Sequence, residues 1–309
     1  MLEVKVTDFT PITSDRVEPD KKTVPVFPLD GPDKISIKII PFTLLHVACI
    51  GVFFTGVSWW AVLLMVATYM LRMWGVTAGY HRYFAHRSYK TSRAFQFVLA
   101  WIGCSALQKG PLWWAAHHRR HHKYSDQEGD IHSPIQEGFW QSHIGWIISE
   151  KYKATDFDAI KDFAKYPELR WLDNYHWIPG ITLAVICFLL LGWQGLFWGF
   201  FVSTIVLYHC TFSINSLAHV WGTRRYKTTD ASRNNFLLAL ITGGEGWHNN
   251  HHHYMASVKQ GFFWWEIDFS YYVLKVLSWV KVVKDLRLPP AHLLIKHIKP
   301  QEAAFSERT

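Results

Sequence analysis

Two long runs without a charged residue dominate the pattern of apolar and polar positions along the chain. The first covers residues 39–71, a length of 33, and the second covers residues 174–223, a length of 50. A helix that crosses a membrane needs about 20 residues. Each run therefore predicts two helices joined by a short turn, with four spans at about 39–55, 60–79, 178–191 and 196–216.

The basic residues predict how these spans are oriented. Thirteen Lys and Arg residues lie between positions 80 and 177 and twelve follow position 223, whereas neither short turn carries a charge. By the positive-inside rule, segments 80–177 and 217–309 face the cytosol, and an even number of spans places the N-terminus there too. The predicted fold class is an all-α integral membrane protein with four transmembrane helices and a cytosolic helical cap.

Three shorter features complete this organisation. Residues 1–38 contain five prolines and mixed charge, which predicts a loosely ordered cytosolic arm before a single domain at 39–309. The apolar stretch 94–107 is too short to span and predicts an interfacial or re-entrant segment. Arg72 falls inside the second span, where a charge is costly, so it should face protein or water.

Composition narrows the class of protein. Half of the residues are hydrophobic, 17% are aromatic and 18% are charged, which excludes a disordered or collagen-like chain. The net charge of +8 is compatible with a phosphate-bearing partner or an anionic membrane surface. No block of consecutive basic residues indicates nucleic acid as a partner.

Histidines are concentrated in three clusters at the polar ends of apolar segments. On a helix, residues at i, i+3 and i+4 project from one face, and the second and third clusters both have this spacing. The first cluster has two histidines five positions apart, about 140° around an α-helix, so they would bracket a site or lie where the helix ends. The clusters are His81 and His86; His118, His121 and His122; and His248, His251 and His252.

Eight imidazoles exceed the three or four ligands that a single zinc ion needs. They suit two metal ions, and iron is favoured because imidazole suits iron and no H-E-x-x-H motif is present. His117 and His253 lie one position off each face and are left out of the ligand set. Four acidic residues are close enough in sequence to orient the imidazoles, although the sequence does not assign pairs: Asp126, Glu128, Asp130 and Glu245.

The histidine boxes and the residues around them resemble the membrane-bound fatty acid desaturases, in particular the Δ9, stearoyl-CoA-type branch. The likeness extends from the first span to about residue 265. It rests on the following segments: Gly-Val-Thr-Ala-Gly-Tyr-His81-Arg, His86-Arg-Ser-Tyr-Lys, His121-His122-Lys-Tyr-Ser-Asp, and Gly-Glu-Gly-Trp-His248-Asn-Asn-His251-His252.

The resemblance implies a ninth ligand and a reaction. Asn215-Ser-Leu-Ala-His219 is similar to the family's N-S-x-A-H segment, in which the His binds iron and the Asn holds a metal-bound water. The implied chemistry is O2-dependent insertion of a cis double bond, at Δ9, into a saturated acyl chain by a di-iron centre. The two electrons would come from a separate cytochrome b5-type or ferredoxin-type protein. The implied metal ligands are His81, His86, His118, His121, His122, His219, His248, His251 and His252, with Asn215 through water.

Substrate contacts and the acyl carrier are less determined. Trp113, Trp114 and Trp247 are candidates for the wall of the substrate tunnel, although interfacial packing explains them equally well. The animal acyl-CoA enzymes have Trp-Ala-Arg-Asp before the second box, whereas this chain has Trp114-Ala-Ala-His117. The expected substrate is acyl-CoA, with lipid-bound chains as the alternative, and the likeness to bacterial members favours a bacterial inner membrane over the endoplasmic reticulum.

Two other functions are compatible with parts of the pattern. A membrane hydroxylase or sterol-type oxidase uses similar boxes with the same metal, but the segments around the boxes favour a desaturase. A His-rich metal transporter should place its ligands at mid-membrane depth on discontinuous helices. In this chain every cluster follows a span or lies in the segments expected to be cytosolic.

Overall fold

The computed structural model describes residues 34–37 and 39–294, and within them the chain is mostly helical. The expectation for residues 1–33 lies outside the described part. Residues 34–37 pair with the segment around Ser149, where an isolated antiparallel bridge joins Ile35 to Ser149. The principal helices are α1 (Ile39–Thr55), α2 (Trp59–Ala85), α3 (Arg93–Cys104), α4 (Pro111–Tyr124), α5 (Pro167–Asn174), α6 (Ile178–Gln194), α7 (residues 195–220), α8 (Phe236–Ile241), α9 (His248–His253) and α10 (Phe269–Trp279).

Two short strands depart from the all-α expectation. β1 (Lys90–Thr91) pairs antiparallel with β2 (Val283–Lys284), so the segment after α2 is joined to the segment after α10. The remaining regular elements are single helical turns at Gln141–Gly145, Trp146–Ile148, Glu150–Tyr152, Lys161–Ala164 and Ala291–Leu294.

By length and composition, two helical stretches in the described chain could cross a membrane, Trp59–Ala85 and Ile178–Val220. Ile39–Thr55 is apolar but shorter. The second stretch is divided at Leu191 and Gly192, and Gly192 has a φ of 58° that L-residues with a side chain rarely adopt. The chain turns back on itself there, and Gly195 packs directly against the backbone of Cys187. A side chain at Gly195 would not fit, since its Cβ would lie 2.1 Å from the carbonyl oxygen of Cys187. α6 and α7 therefore form a hairpin.

Local sequence explains where the helices near the clusters begin and how closely they pack. The Ser58 side chain accepts the backbone N–H of Ala61 at the start of α2. α2 and α3 cross closely, since a Cβ at Gly75 would lie 2.8 Å from the backbone nitrogen of Gly103.

The predicted environment of Arg72 is confirmed. Its side chain is fully buried and donates to Thr204 Oγ1 and Ser203 Oγ, both at 2.6 Å. A buried guanidinium is tolerated here because hydroxyl groups of α7 and the carbonyl of Thr68 in its own helix accept from its donors.

α4 is held at its first turn by a carboxylate from α5. Pro111 occupies the first helical position, and Asp173 Oδ1 accepts the backbone N–H groups of Leu112 and Trp113, each at 3.0 Å. Oδ2 of Asp173 accepts the hydroxyl of Thr155 at 2.9 Å. This contact fixes the helix that carries the second histidine cluster.

We expect Asp173→Ala to destabilise the protein by about 2 to 4 kcal/mol, because it leaves two buried N–H groups without an acceptor. Asp173→Asn retains an acceptor oxygen and should cost clearly less. Thermal unfolding in detergent, followed by circular dichroism, measures both variants. Equal stability of Asp173→Ala and the wild type would contradict this role.

Candidate metal centre

Four helices bring the histidine clusters to one place. The last part of α2, Gly75–Ala85, has wide π-helical turns, and the backbone N–H of His86 donates to the carbonyl of His81 across five residues. The wide turn brings these two rings together, with centroids 4.7 Å apart. In an α-helix the same two residues would point in different directions. α4, α9 and the end of α7 supply the other histidines.

The first group of imidazoles, called group 1, consists of five residues whose candidate ligand nitrogens all lie within 4.8 Å of one another. The Nε2 atom of His251 lies 3.0 Å from that of His81 and 2.9 Å from that of His122. The Nε2 atom of His118 lies 3.0 Å from those of His86 and His122. Group 1 contains His81, His86, His118, His122 and His251.

The second group, called group 2, contains four residues whose candidate ligand nitrogens also lie within 4.8 Å of one another: His121, His219, His248 and His252. The Nε2 atoms of His219 and His248 are 3.0 Å apart. The Nε2 atom of His252 is buried without a hydrogen-bond partner. The groups are neighbours, since the rings of His122 and His252 have centroids 4.5 Å apart.

These distances fit metal ligands better than hydrogen bonds. A nitrogen that binds a first-row metal lies about 2.1 Å from it, so two ligands at a right angle lie about 3.0 Å apart. A neutral imidazole has a single N–H, and in His219 and His252 it is engaged at Nδ1, by Asp126 and Asp230 respectively. Their Nε2 atoms therefore present lone pairs to the interior of group 2.

Burial keeps most of these rings in the form that binds metal. Burial, reinforced by repulsion from neighbouring imidazoles, holds the pKa of six of them well below the usual histidine value. A metal needs the neutral ring, so the site is prepared for a cation at neutral pH. The six are His86, His118, His122, His248, His251 and His252.

Four buried or half-buried carboxylates contact the outward nitrogens of the histidines. Such partners fix the tautomer and the orientation of a metal-binding imidazole. For His121, burial alone would lower the pKa, but the Asp130 carboxylate raises it above the ordinary value. The Nδ1–carboxylate distances are 2.6 Å for His81–Glu245, 2.9 Å for His121–Asp130, 2.8 Å for His219–Asp126 and 2.8 Å for His252–Asp230.

The structure brings all nine histidines of the expected set into the two groups. Three of the four acidic residues considered from sequence contact them, whereas Glu128 is exposed. Asp230 was missed, because it precedes the third cluster by many residues and no spacing rule connects them. His132 lies outside the three clusters along the sequence, yet its ring centroid lies 4.3 Å from that of His121, and it forms a further group with His121 and Asp130.

The two histidines left out of the ligand set point elsewhere. Nδ1 of His117 lies 2.9 Å from the carbonyl oxygen of Trp113. The ring of His253 stacks on Tyr226, with centroids 4.0 Å apart, and its Nε2 lies 3.2 Å from the carbonyl oxygen of Leu293. Neither belongs to group 1 or group 2.

A largely apolar cavity of about 330 Å³ reaches group 1. His118 and Asn215 line it together with Trp113 and Trp114, and the Trp114 indole stacks on His118 with a centroid distance of 4.8 Å. The expectation that Trp247 forms part of the substrate wall does not hold for this cavity, whose lining does not include it. The Trp247 indole N–H donates instead to the carbonyl of Ile267. An apolar ligand in this cavity would lie next to His118 of group 1.

Comparison with known proteins is consistent with this site. The chain is 37% identical over 250 residues to an acyl-CoA C20 Delta5-desaturase of Anemone leveillei, covering 79% of each chain. It is 36% identical over 268 residues to an sn-2 palmitoyl-lipid 9-desaturase of a Nostoc species, covering 84% of this chain and 93% of that protein. The fatty acid desaturase family model matches residues 58–275. The chain therefore belongs to the fatty acid desaturase family.

Proposed function

We propose that this desaturase uses O2 to introduce a cis double bond at Δ9 of a saturated acyl chain carried by coenzyme A. One observation carries the proposal: His118 belongs both to group 1 and to the lining of the apolar cavity. A chain of methylene groups in that cavity would pass directly beside the metal ligands. The bond position would then be set by how far the chain enters.

The two histidine groups support a di-iron centre with the nine imidazoles as its ligands. Iron bound there would supply oxygen activation and the oxidation of two C–H bonds, which no amino acid side chain can perform. For each double bond, one O2 is reduced to two waters by two external electrons with two protons and by the two hydrogens, with their electrons, removed from the acyl chain. The protein's own part is to hold the chain in register and exclude water. We assign Asn215, one turn before His219, to holding a water at the centre.

The acyl carrier is proposed from the chemistry of the cavity and from the relatives. Lys109 contributes a cationic side chain to the largely apolar lining, which suits a phosphate-bearing head group. The relatives include an acyl-CoA desaturase as well as lipid 9-desaturases. The alternative is a lipid-bound acyl chain, and the two carriers are separated by the experiment below.

Exposed apolar side chains support a membrane location with four spans. In the most apolar part of Ile178–Val220 only 17% is buried within the protein, and Phe53 and Phe54 of α1 are 84% and 85% exposed. A contiguous apolar surface of this kind is covered by lipid in the folded protein. We propose that α1, α2, α6 and α7 cross the bilayer, with both termini and the metal centre in the cytosol, in a bacterial inner membrane.

Expression in a desaturase-deficient host tests the reaction. We expect a new monoene whose double bond derivatisation locates at C9, and no such product from the His118→Ala variant. Purified enzyme in nanodiscs, offered stearoyl-CoA or a stearoyl phospholipid with dithionite as reductant, identifies the carrier. An unchanged fatty acid profile with protein present in the membrane would contradict desaturation, and oxygenated products would favour the hydroxylase.

Leu45→Trp should shift the products toward shorter acyl chains, because Leu45 lines the cavity and a larger ring shortens the space for methylene groups. The double bond should keep its distance from the carboxyl end. Leu44→Trp is the matched control, since the neighbouring Leu44 is 60% exposed on the outside of α1. Product chain length is read by gas chromatography, and identical profiles for both variants would remove Leu45 from the substrate path.

A further inference from the structure

A second cleft, of about 300 Å³, lies on the other side of the α2 terminus and shares no lining residue with the apolar cavity. We call it the basic cleft. Its aromatic floor includes Tyr83 and Phe163, which are buried and make edge-to-face contacts with Phe84. Its rim carries four cationic side chains, Arg87, Lys90, Lys165 and Arg287, and two carboxylates, Asp162 and Asp285.

The rim has more cations than carboxylates, and two of its cations form no ion pair within the described part of the chain. Lys90 Nζ lies 2.7 Å from Asp285 Oδ2. Arg87 lies 3.5 Å from Asp162, whose two oxygens also accept from Arg119 at 2.9 Å. Lys165 and Arg287 are exposed and are the two rim cations that remain, so a negatively charged partner would pair with them.

The cleft is joined to the metal ligands by very short connections. Arg87, on its rim, directly follows His86 and is held at a φ of 51°. Arg119 directly follows His118, and its guanidinium also donates to the carbonyls of Phe84 and Ala85 at 2.8 and 3.0 Å. The wall of the cleft is therefore one peptide unit or one side chain away from two residues of group 1.

We propose that the basic cleft is the docking surface for the electron donor, a small acidic electron-carrier protein whose surface carboxylates contact the rim cations. The inference rests on the proposed function, since each double bond consumes two electrons that a reductant must supply. The donor would be oxidised twice per turnover, one electron at a time. Opposite charges at such a surface raise the association rate and fix the orientation of the partner.

Charge reversal at the rim tests the assignment without touching the metal ligands. The variant Lys165→Glu with Arg287→Glu is compared with Lys153→Glu and Lys227→Glu, two exposed lysines outside the cleft. Holoenzyme in nanodiscs is mixed with reduced soluble cytochrome b5 or with a reduced plant-type [2Fe–2S] ferredoxin, and donor oxidation is followed by stopped-flow absorbance. Iron content and single-turnover product after reduction by dithionite are measured in parallel.

We expect the second-order rate constant of donor oxidation to fall about ten-fold or more in the rim variant and to stay within about two-fold in the control. The wild-type rate should also fall as ionic strength rises from about 0.01 M to about 0.15 M. Iron content and the dithionite-driven turnover should not change. This combination separates docking from folding and from catalysis.

Four results would overturn the inference. The first is an unchanged rate of donor oxidation in the rim variant. The second is a raised KM for acyl-CoA with an unchanged donor rate, which would assign the cleft to the substrate head group. The third is a wild-type enzyme that desaturates after dithionite reduction but oxidises neither donor, which leaves the proposed function intact. If dithionite-reduced wild-type enzyme forms no product, the proposed function fails together with the docking surface.

Discussion

Replacing His251 with alanine will remove desaturation and lower the bound iron from about two ions per chain to about one or fewer. The Nε2 atom of His251 is within 3.0 Å of those of both His81 and His122, so its loss opens group 1 at its centre. A metal held by imidazoles loses a large part of its binding energy with each ligand that is removed. Iron content by mass spectrometry and product formation by gas chromatography measure the two effects.

His253→Ala is the matched control for this prediction. His253 belongs to the same run of histidines and the same short helix, α9, but its ring stacks on Tyr226 outside both groups. It should retain its iron and nearly all of its activity. Equal loss of iron in both variants would show that substitutions in this helix lower the iron content by disturbing the fold. Full iron in His251→Ala would contradict the assignment of this residue as a ligand.

Asp230→Asn is expected to weaken iron binding by about 10- to 100-fold, the effect typical of losing the partner that orients a metal-binding histidine. Asp230 Oδ2 lies 2.8 Å from His252 Nδ1, and the carboxylate also accepts the backbone N–H of Ser232 at 3.0 Å. Asparagine preserves the size of the side chain but not its charge, so the ring loses its electrostatic support while the loop keeps its shape.

Competition with a chelator of known affinity measures this effect, and added iron should restore activity to Asp230→Asn. Asp158→Asn provides the control, because the Asp158 side chain is 87% exposed. Wild-type iron retention by Asp230→Asn under the same chelator would show that the Asp230–His252 contact has no role in holding the metal.

Most of the candidate site could be predicted from sequence because its information is local. The i, i+3, i+4 spacing of His118, His121 and His122 places them on one face of any helix, and the same holds for α9. His219 was different, since a single histidine at the end of an apolar helix carries no spacing information. It was found only through the resemblance of its surrounding segment to a known family.

The parts that sequence did not give depend on long-range packing or on unusual backbone. The pairing of His81 with His86 needs the wide π-helical turn of Gly75–Ala85, whereas α-helical geometry separates them. The partner of His252, Asp230, is placed by a loop between α7 and α8. The short β1–β2 pair joins segments almost 200 residues apart along the chain. Local sequence patterns carry no information about a pairing at that separation.

The Mössbauer spectrum of purified protein reconstituted with iron-57 tests the central claim most directly. If groups 1 and 2 each hold one ion, the wild-type chain will bind about two irons and its spectrum will contain a contribution from each group. His251→Ala will lose the contribution of group 1, and His253→Ala will keep both. A single iron per chain in the active wild-type enzyme, or a wild-type spectrum with full iron in His251→Ala, would contradict the assignment of these nine histidines to a di-iron centre.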